Sequence, residues 1–145
     1  VLRANAELNG ITNTDIRQVA AWDSRARLRL EDPNGQVTGG STRVLEDGDG
    51  TVQAVPLDEV LQDEPRIDLV KLDVEGADLH ALRGMAGTLA RCRPKMLIER
   101  HDIYGYYELA SLTDLIESLG YEWAECNITL GTGATAPYLT AEPKE

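Results

Sequence analysis

Residues 67–76 read Ile-Asp-Leu-Val-Lys-Leu-Asp-Val-Glu-Gly, and no other stretch limits the fold as much. Ile67, Leu69, Val70, Leu72 and Val74 form a near-continuous apolar run, which predicts a strand buried on both faces of a parallel sheet. Lys71, Asp73 and Glu75 occupy alternate positions within it, so the three share one face. Charges are costly to bury without partners. They are therefore expected where the strand leaves the sheet and meets water, a ligand or one another. Gly76 follows, and then a helical pattern begins. In open α/β sheets, ligands bind in the crevice beyond the carboxyl ends of the strands, which makes this strand end a candidate active-site edge.

The surrounding pattern has the same character. Residues 1–8 carry apolar positions at helical spacing, and Asn9-Gly10 is a stop signal. Residues 16–21 read as a short strand ending in Trp22-Asp23-Ser24. Ala26, Leu28 and Leu30 then alternate with Arg25, Arg27 and Arg29, as in a half-exposed strand closed by the turn Asp32-Pro33-Asn34-Gly35. Residues 43–45 and 51–55 suggest two more strands around Glu46-Asp47-Gly48-Asp49-Gly50, and 56–61 a short helix with Pro56 near its first turn. Leu79, Leu82, Met85, Ala86 and Leu89 line one side of a helix predicted over 77–93, with Asp78 in its first turn, Arg91 and Arg93 in its last, and Pro94 beyond. A buried strand over 95–100 follows. Ser111 and Asp114 resemble a capping box opening a helix through Leu119. Two last strands, near 121–130 and 138–142, are joined by a Gly/Thr/Ala loop. The alternation from 57 to 119 predicts a parallel sheet with helices on its faces.

A length of 145 residues suits one domain. The net charge of −11 argues against a nucleic-acid partner, whose binding rests on a cationic footprint. No apolar run reaches the ~18 residues of a membrane helix, and no leader pattern is visible, so a cytoplasmic setting is expected. Cys92 and Cys126 are too far apart for a zinc pattern and read as reduced thiols. The opening Val1-Leu2-Arg3-Ala4-Asn5, without an initiator methionine, suggests that an earlier segment is missing.

The parallel arrangement brings Asp73 and Glu75 from one strand end beside Glu99 and His101 from the next. These four are the candidate catalytic residues. A plainer reading pairs Asp73 with Lys71, lets Glu75 and Asp78 complement a helix dipole, and leaves His101 in water. Two other signals are weak. Gly131-Thr132-Gly133-Ala134-Thr135-Ala136 has the letters of a dinucleotide fingerprint, but Pro137 and a strand-like Tyr138-Leu139 follow where a helix is required. Asp47-Gly48-Asp49-Gly50 faintly suggests a calcium loop, yet Val52 stands where that loop needs glycine.

Val-Lys-Leu-Asp-Val-Glu-Gly-Ala-Asp (70–78), Leu-Arg-Gly (82–84), Arg-Pro (93–94) and a strand ending Ile-Glu (98–99) resemble the FkbM family of S-adenosylmethionine-dependent methyltransferases. Leu-Arg-Ala-Asn-Ala-Glu-Leu-Asn-Gly (2–10), Val-Ala-Ala-Trp-Asp (19–23), Val-Pro-Leu-Asp (55–58) and Pro-Tyr-Leu-Thr-Ala (137–141) fit in the same order. The resemblance spans essentially the whole chain. It implies one partial domain, residues 1–145, of α/β class. The sheet would be a Rossmann-like class I methyltransferase sheet, incomplete at its N-terminus, with a β-hairpin insertion and a C-terminal antiparallel hairpin. The family's first strands, glycine-rich turn and ribose-binding acid are not in this sequence. By similarity, Ala21, Trp22, Asp23 and Asp73 remain on the S-adenosylmethionine side, with Trp22 either stacking on adenine or filling core.

Methyl transfer from a sulfonium needs alignment of the acceptor and, for a hydroxyl, removal of its proton. The resemblance implies O-methylation of a small-molecule or saccharide acceptor. Asp73 would contact cofactor or substrate, and Glu75, Glu99 or His101 would orient or deprotonate the acceptor. No resident metal is expected, although three carboxylates are able to hold a hard cation. Two other readings compete: a non-catalytic α/β binding module, and a metal-dependent hydrolase built on Asp73, Glu99 and His101. Self-association through open strand edges is expected of the chain alone.

Overall fold

The computed structural model describes residues 1–31, 43–45, 50–129 and 131–145. Its elements run α1 (Leu2–Leu8), β1 (Ala20–Ala21), β2 (Ala26–Glu31), β3 (Arg43–Leu45), β4 (Val52–Val55), α2 (Leu57–Val60), β5 (Leu69–Leu72), α3 (Asp78–Arg83), α4 (Ala86–Cys92), β6 (Lys95–Glu99), a 3-10 turn (Asp102–Tyr104), α5 (Leu109–Ser118), β7 (Tyr121–Thr129) and β8 (Thr135–Pro143). The architecture is mixed α/β with two four-stranded sheets, ordered β1-β4-β2-β3 and β5-β6-β8-β7. In the first, β1 runs parallel to β4, and β2 is antiparallel to both β4 and β3. In the second, β5 and β6 are parallel, while β8 is antiparallel to β6 and to β7. The turn at 32–35, the acidic segment 46–49 and the calcium-like stretch starting at Asp47 lie outside the described residues. Among the described residues no helix is long and apolar enough to cross a membrane.

The main core lies on one face of the second sheet. Leu72, Met96, Ile98, Tyr121 and Leu139 from strands meet Leu82, Leu89, Leu112 and Ile116 from α3, α4 and α5 and Met85 from the junction of α3 and α4, all at most 3% exposed. Burying each such side chain contributes roughly 1.5–3 kcal/mol. A smaller cluster of Trp22, Leu28, Ala54 and Ala77 serves the first sheet. The two units meet where Gly84 presses on the Trp22 backbone: a Cβ at Gly84 would stand 1.9 Å from the Trp22 carbonyl oxygen. Asp58 of α2 makes a second link. Its amide donates to the Gly84 carbonyl at 2.8 Å, and its carboxylate accepts from the amides of Gly87 and Thr88 at 2.9 and 2.6 Å. An aspartate distant in sequence thus caps α4, whose own N-cap position, Met85, offers no side-chain hydrogen bond.

Several expectations are corrected. The strand expected over 67–75 is only Leu69–Leu72, and it forms an edge of its sheet rather than an interior strand buried on both faces. Val70, Leu72 and Val74 pack toward the core, whereas Leu69 is 62% exposed. The burial period is two, because α3 and α4 cover a single face. The strand expected over 16–21 shrinks to two residues. The helix expected over 77–93 is broken: α3 ends at Arg83, Gly84 follows at its C-cap, and Met85 at φ −123° precedes α4. Gly84 is free to sit against the Trp22 carbonyl because it lacks a side chain. Ser111 does not cap α5, which begins at Leu109 after Glu108. Along β2 the apolar face is buried at Leu28 but open again at Leu30, 46% exposed. The Gly131–Ala136 stretch joins β7 to β8, as a hairpin and not a nucleotide loop.

Candidate active site

In the parallel pair β5 and β6, Lys71 lies opposite Leu97, and Glu99 on β6 lies opposite Tyr138 on β8. Asp73 follows two residues after Lys71, so Lys71, Asp73, Glu99 and Tyr138 come together at the carboxyl edge. Lys71 Nζ reaches Asp73 Oδ2 at 2.7 Å and Glu99 Oε2 at 3.8 Å. The Tyr138 hydroxyl donates to Glu99 Oε2 at 2.6 Å, and this acceptor holds its proton on, to a pKa of about 12. The plainer sequence reading had paired Lys71 with Asp73, and that contact is present.

His101 sits on the loop leaving β6 and is only 2% exposed. Tyr107 fixes the loop by accepting the His101 amide hydrogen at 3.2 Å. Arg100 braces it from the other side, with a two-pronged contact to Asp102 at 2.9 and 2.7 Å and a further bond to Glu125 at 2.8 Å. The imidazole therefore faces the carboxylates: Nε2 is 3.7 Å from Glu75 Oε2 and 3.9 Å from Asp73 Oδ1, and Nδ1 is 3.4 Å from Asp78 Oδ2. Burial pushes the imidazole pKa down, but Asp78, Glu75 and Asp73 outweigh it and leave it raised. The Glu75 carboxyl is raised as well, first by burial and then by its acidic neighbours, with His101 opposing.

Glu75 has φ +48° and Gly76 φ +91°. The left-handed backbone is natural for glycine and strained for glutamate. Gly76 has a second reason to be glycine, since a Cβ there would come within 2.6 Å of the Tyr106 ring. This kinked pair turns the Glu75 side chain between two hollows. One, of about 360 Å³, lies between the sheets and is lined by Val19, Ala20, Ala21, Asp73, Glu75 and Ala77, among others. The other, of about 200 Å³, is lined by Glu75, Glu99, His101, Tyr104 and Tyr106. Glu75 lines both.

The structure thus gathers Asp73, Glu75, Glu99 and His101, and it puts Ala21 beside Asp73. Trp22 and Asp23 are placed differently. The Trp22 indole is buried in the smaller core and stacks on the His80 ring at 3.7 Å and 6°. Asp23 Oδ2 lies 2.7 Å from His80 Nδ1. Burial raises the Asp23 pKa, but the hydrogen bonds from His80 and Ser24 and the charges of His80 and Arg83 leave it lowered. Sequence reasoning missed Asp78 as part of the site and read it as a helix-dipole residue. It is fully buried, and neither of its oxygens has a hydrogen-bond partner among the described residues. Tyr104 and Tyr106 were also missed; an aromatic run directly after a candidate histidine was the available signal.

The residues 3–123 match the family profile described as the methyltransferase FkbM domain. No curated protein matches the chain. The chain is similar in structure to the crystal structure of methyltransferase FkbM from Methylobacillus flagellatus KT, with a TM-score of 0.59 and 21% sequence identity over 95% of this chain. It spans 31% of the length of that protein. The likeness in structure supports the fold, and the family match covers the strand end, the broken helix pair and most of the C-terminal unit. The chain belongs to the FkbM methyltransferase domain family.

Proposed function

We propose that this chain takes part in S-adenosylmethionine-dependent O-methylation of a small-molecule or saccharide hydroxyl, with Glu75 as the proton acceptor. The observation that carries this reading is the placement of Glu75 in the wall shared by both hollows. The larger hollow, walled by alanines and Val19 with Asp73 and Glu75 in its lining, suits an apolar nucleoside leading to a cationic sulfonium. The surrounding Asp73, Glu75 and Glu99 carboxylates favour that positive charge. When bound, the cofactor supplies an electrophilic methyl group. The residues of the chain do the rest. Glu99 and His101 orient the acceptor in the smaller hollow against Tyr104 and Tyr106, and Asp73 holds the cofactor side. Glu75 would take up the acceptor's hydroxyl proton as that oxygen becomes the nucleophile. The strained backbone of Glu75 fits a group fixed in place for a reaction.

The finer fold assignment belongs to the same reading: the β5-β6-β8-β7 sheet corresponds to the later strands of a Rossmann-like methyltransferase sheet. The outer edge of β5, with Leu69 exposed, is where we expect chains to associate. The test is methyl transfer from labelled S-adenosylmethionine to a panel of polyols and sugars, on the full natural chain. Glu75→Gln should lower turnover by about 100-fold or more, the usual worth of general base catalysis, and Asp73→Asn should weaken cofactor binding. Unchanged turnover in Glu75→Gln refutes the proton role. The absence of both cofactor binding and transfer refutes the reading as a whole.

A further inference from the structure

Four carboxylates, Asp73, Glu75, Asp78 and Glu99, crowd the carboxyl edge of the second sheet. The cation among them, Lys71, is 46% exposed at its side chain and touches only two, Asp73 and Glu99. Beside them lies His101, 2% exposed, whose Nε2 points at Asp73 and Glu75 without hydrogen-bonding to either. Its other ring nitrogen, Nδ1, is buried without a hydrogen-bond partner among the described residues, which is unfavourable, so packing alone does not explain this placement. Behind the ring, Asp78 Oδ2 stands 3.4 Å from Nδ1, itself fully buried and otherwise unpartnered. At 3.4 Å the two are not hydrogen-bonded, but a carboxylate in that position favours the proton on Nδ1, and in that tautomer the Nε2 lone pair faces forward. Histidines that ligate metals are supported in this way.

One oxygen of Asp73, one of Glu99 and a ring nitrogen of His101 lie within 4.8 Å of one another. Around an ion with bonds of about 2.1 Å, neighbouring donors stand roughly 3 Å apart and opposite ones roughly 4.2 Å. Drawing the three donors together by about 1–2 Å, within the reach of side-chain rotation, therefore closes the set. We propose that Asp73, Glu99 and His101 bind one divalent cation at the carboxyl edge of β5 and β6, with Asp78 holding His101 from behind and the Lys71 ammonium as the built-in competitor for the same place. One imidazole and two carboxylates match Mn²⁺ or Zn²⁺ better than Ca²⁺. This site does not depend on the methyl-transfer reading, because it rests on donors present whatever the reaction.

The experiment is a titration of the chain with MnCl2, followed by calorimetry and by the electron paramagnetic resonance signal of free Mn²⁺, with ZnCl2 as a second probe. Wild type should take up one ion per chain. His101→Gln and Glu99→Gln should each weaken binding at least tenfold, and Asp78→Asn should weaken it by about 10- to 100-fold, the usual effect of losing an outer-sphere partner. Lys71→Met should tighten binding, which a purely structural role for the lysine does not predict. Circular dichroism checks the fold of each variant, and if His101→Gln fails to fold, Glu99→Gln and Lys71→Met decide. No saturable uptake at millimolar Mn²⁺ and Zn²⁺ overturns the proposal. So does uptake unaffected by Glu99→Gln, or uptake weakened by Lys71→Met in a folded protein.

Discussion

Replacing Asp58 by alanine removes a cap that α4 cannot supply for itself. In the native chain two amides of the first turn, those of Gly87 and Thr88, donate to the two Asp58 oxygens at 2.9 and 2.6 Å. Both bonds are charge-assisted, and the carboxylate faces the positive end of the helix. Loss of a capping side chain costs about 0.5–2 kcal/mol, and loss of a charge at a helix N-terminus about 0.3–1 kcal/mol more. The sum, about 2 kcal/mol, is a large part of the stability of a small domain. For a chain near 150 residues each kcal/mol moves the melting temperature by about 2–4 °C, so a fall of about 4–8 °C is expected. Thermal and urea unfolding by circular dichroism measure both quantities. Asp58→Asn keeps one acceptor oxygen and should lose about half as much. An Asp58→Ala protein within about 0.5 kcal/mol of wild type, the range of ordinary surface changes, would show that the cap contributes nothing. Equal losses in the alanine and asparagine variants would show that charge, not hydrogen bonding, does the work.

Gly84→Ala keeps an acceptable backbone angle but drives a Cβ to 1.9 Å from the Trp22 carbonyl oxygen. Overpacking of this kind costs about 1–3 kcal/mol, and unfolding curves should show it, whereas an unchanged midpoint would mean that the two units do not press together there. Asp23→Asn tests the contact with His80. The Asp23 pKa is lowered in the folded chain, so its stabilisation is present above the unfolded value of about 3.9 and disappears as the pH falls through the folded value. The variant should melt lower than wild type at neutral pH and converge with it in acid; a gap that persists in acid would assign the effect to packing.

The residues that read most truly from sequence were those whose chemistry and spacing agreed. Asp73 and Glu75 follow β5, and Glu99 and His101 end and follow β6, in a parallel pair whose register runs from Leu69 and Lys95 to Leu72 and Ile98; alternation together with a parallel crossover is what predicted that they would meet at one edge. The break at Gly84 was hidden because Leu82, Met85 and Leu89 keep a helical period across it, and the cause lies in Trp22, some sixty residues away in sequence. Asp58 carries no local signal of its role, since nothing in its own helix shows that it caps another. Trp22 was open between adenine and core, and only the His80 ring packed on its face resolved what that face touches. Asp78 was misread for the opposite reason. A sufficient local explanation, the helix dipole, concealed a burial that only tertiary structure imposes.

The left-handed backbone at Glu75 also leaves a mark on descent. Glycine there would relieve about 1–2 kcal/mol of conformational cost, so selection for stability alone pulls the position toward glycine, or toward asparagine as the next most tolerant residue. Glutamate persists only while something other than folding rewards its side chain. Among related chains, the residue at this one position should therefore act as a fossil record: lineages that still use the site keep the acid, and lineages that have abandoned it drift to glycine.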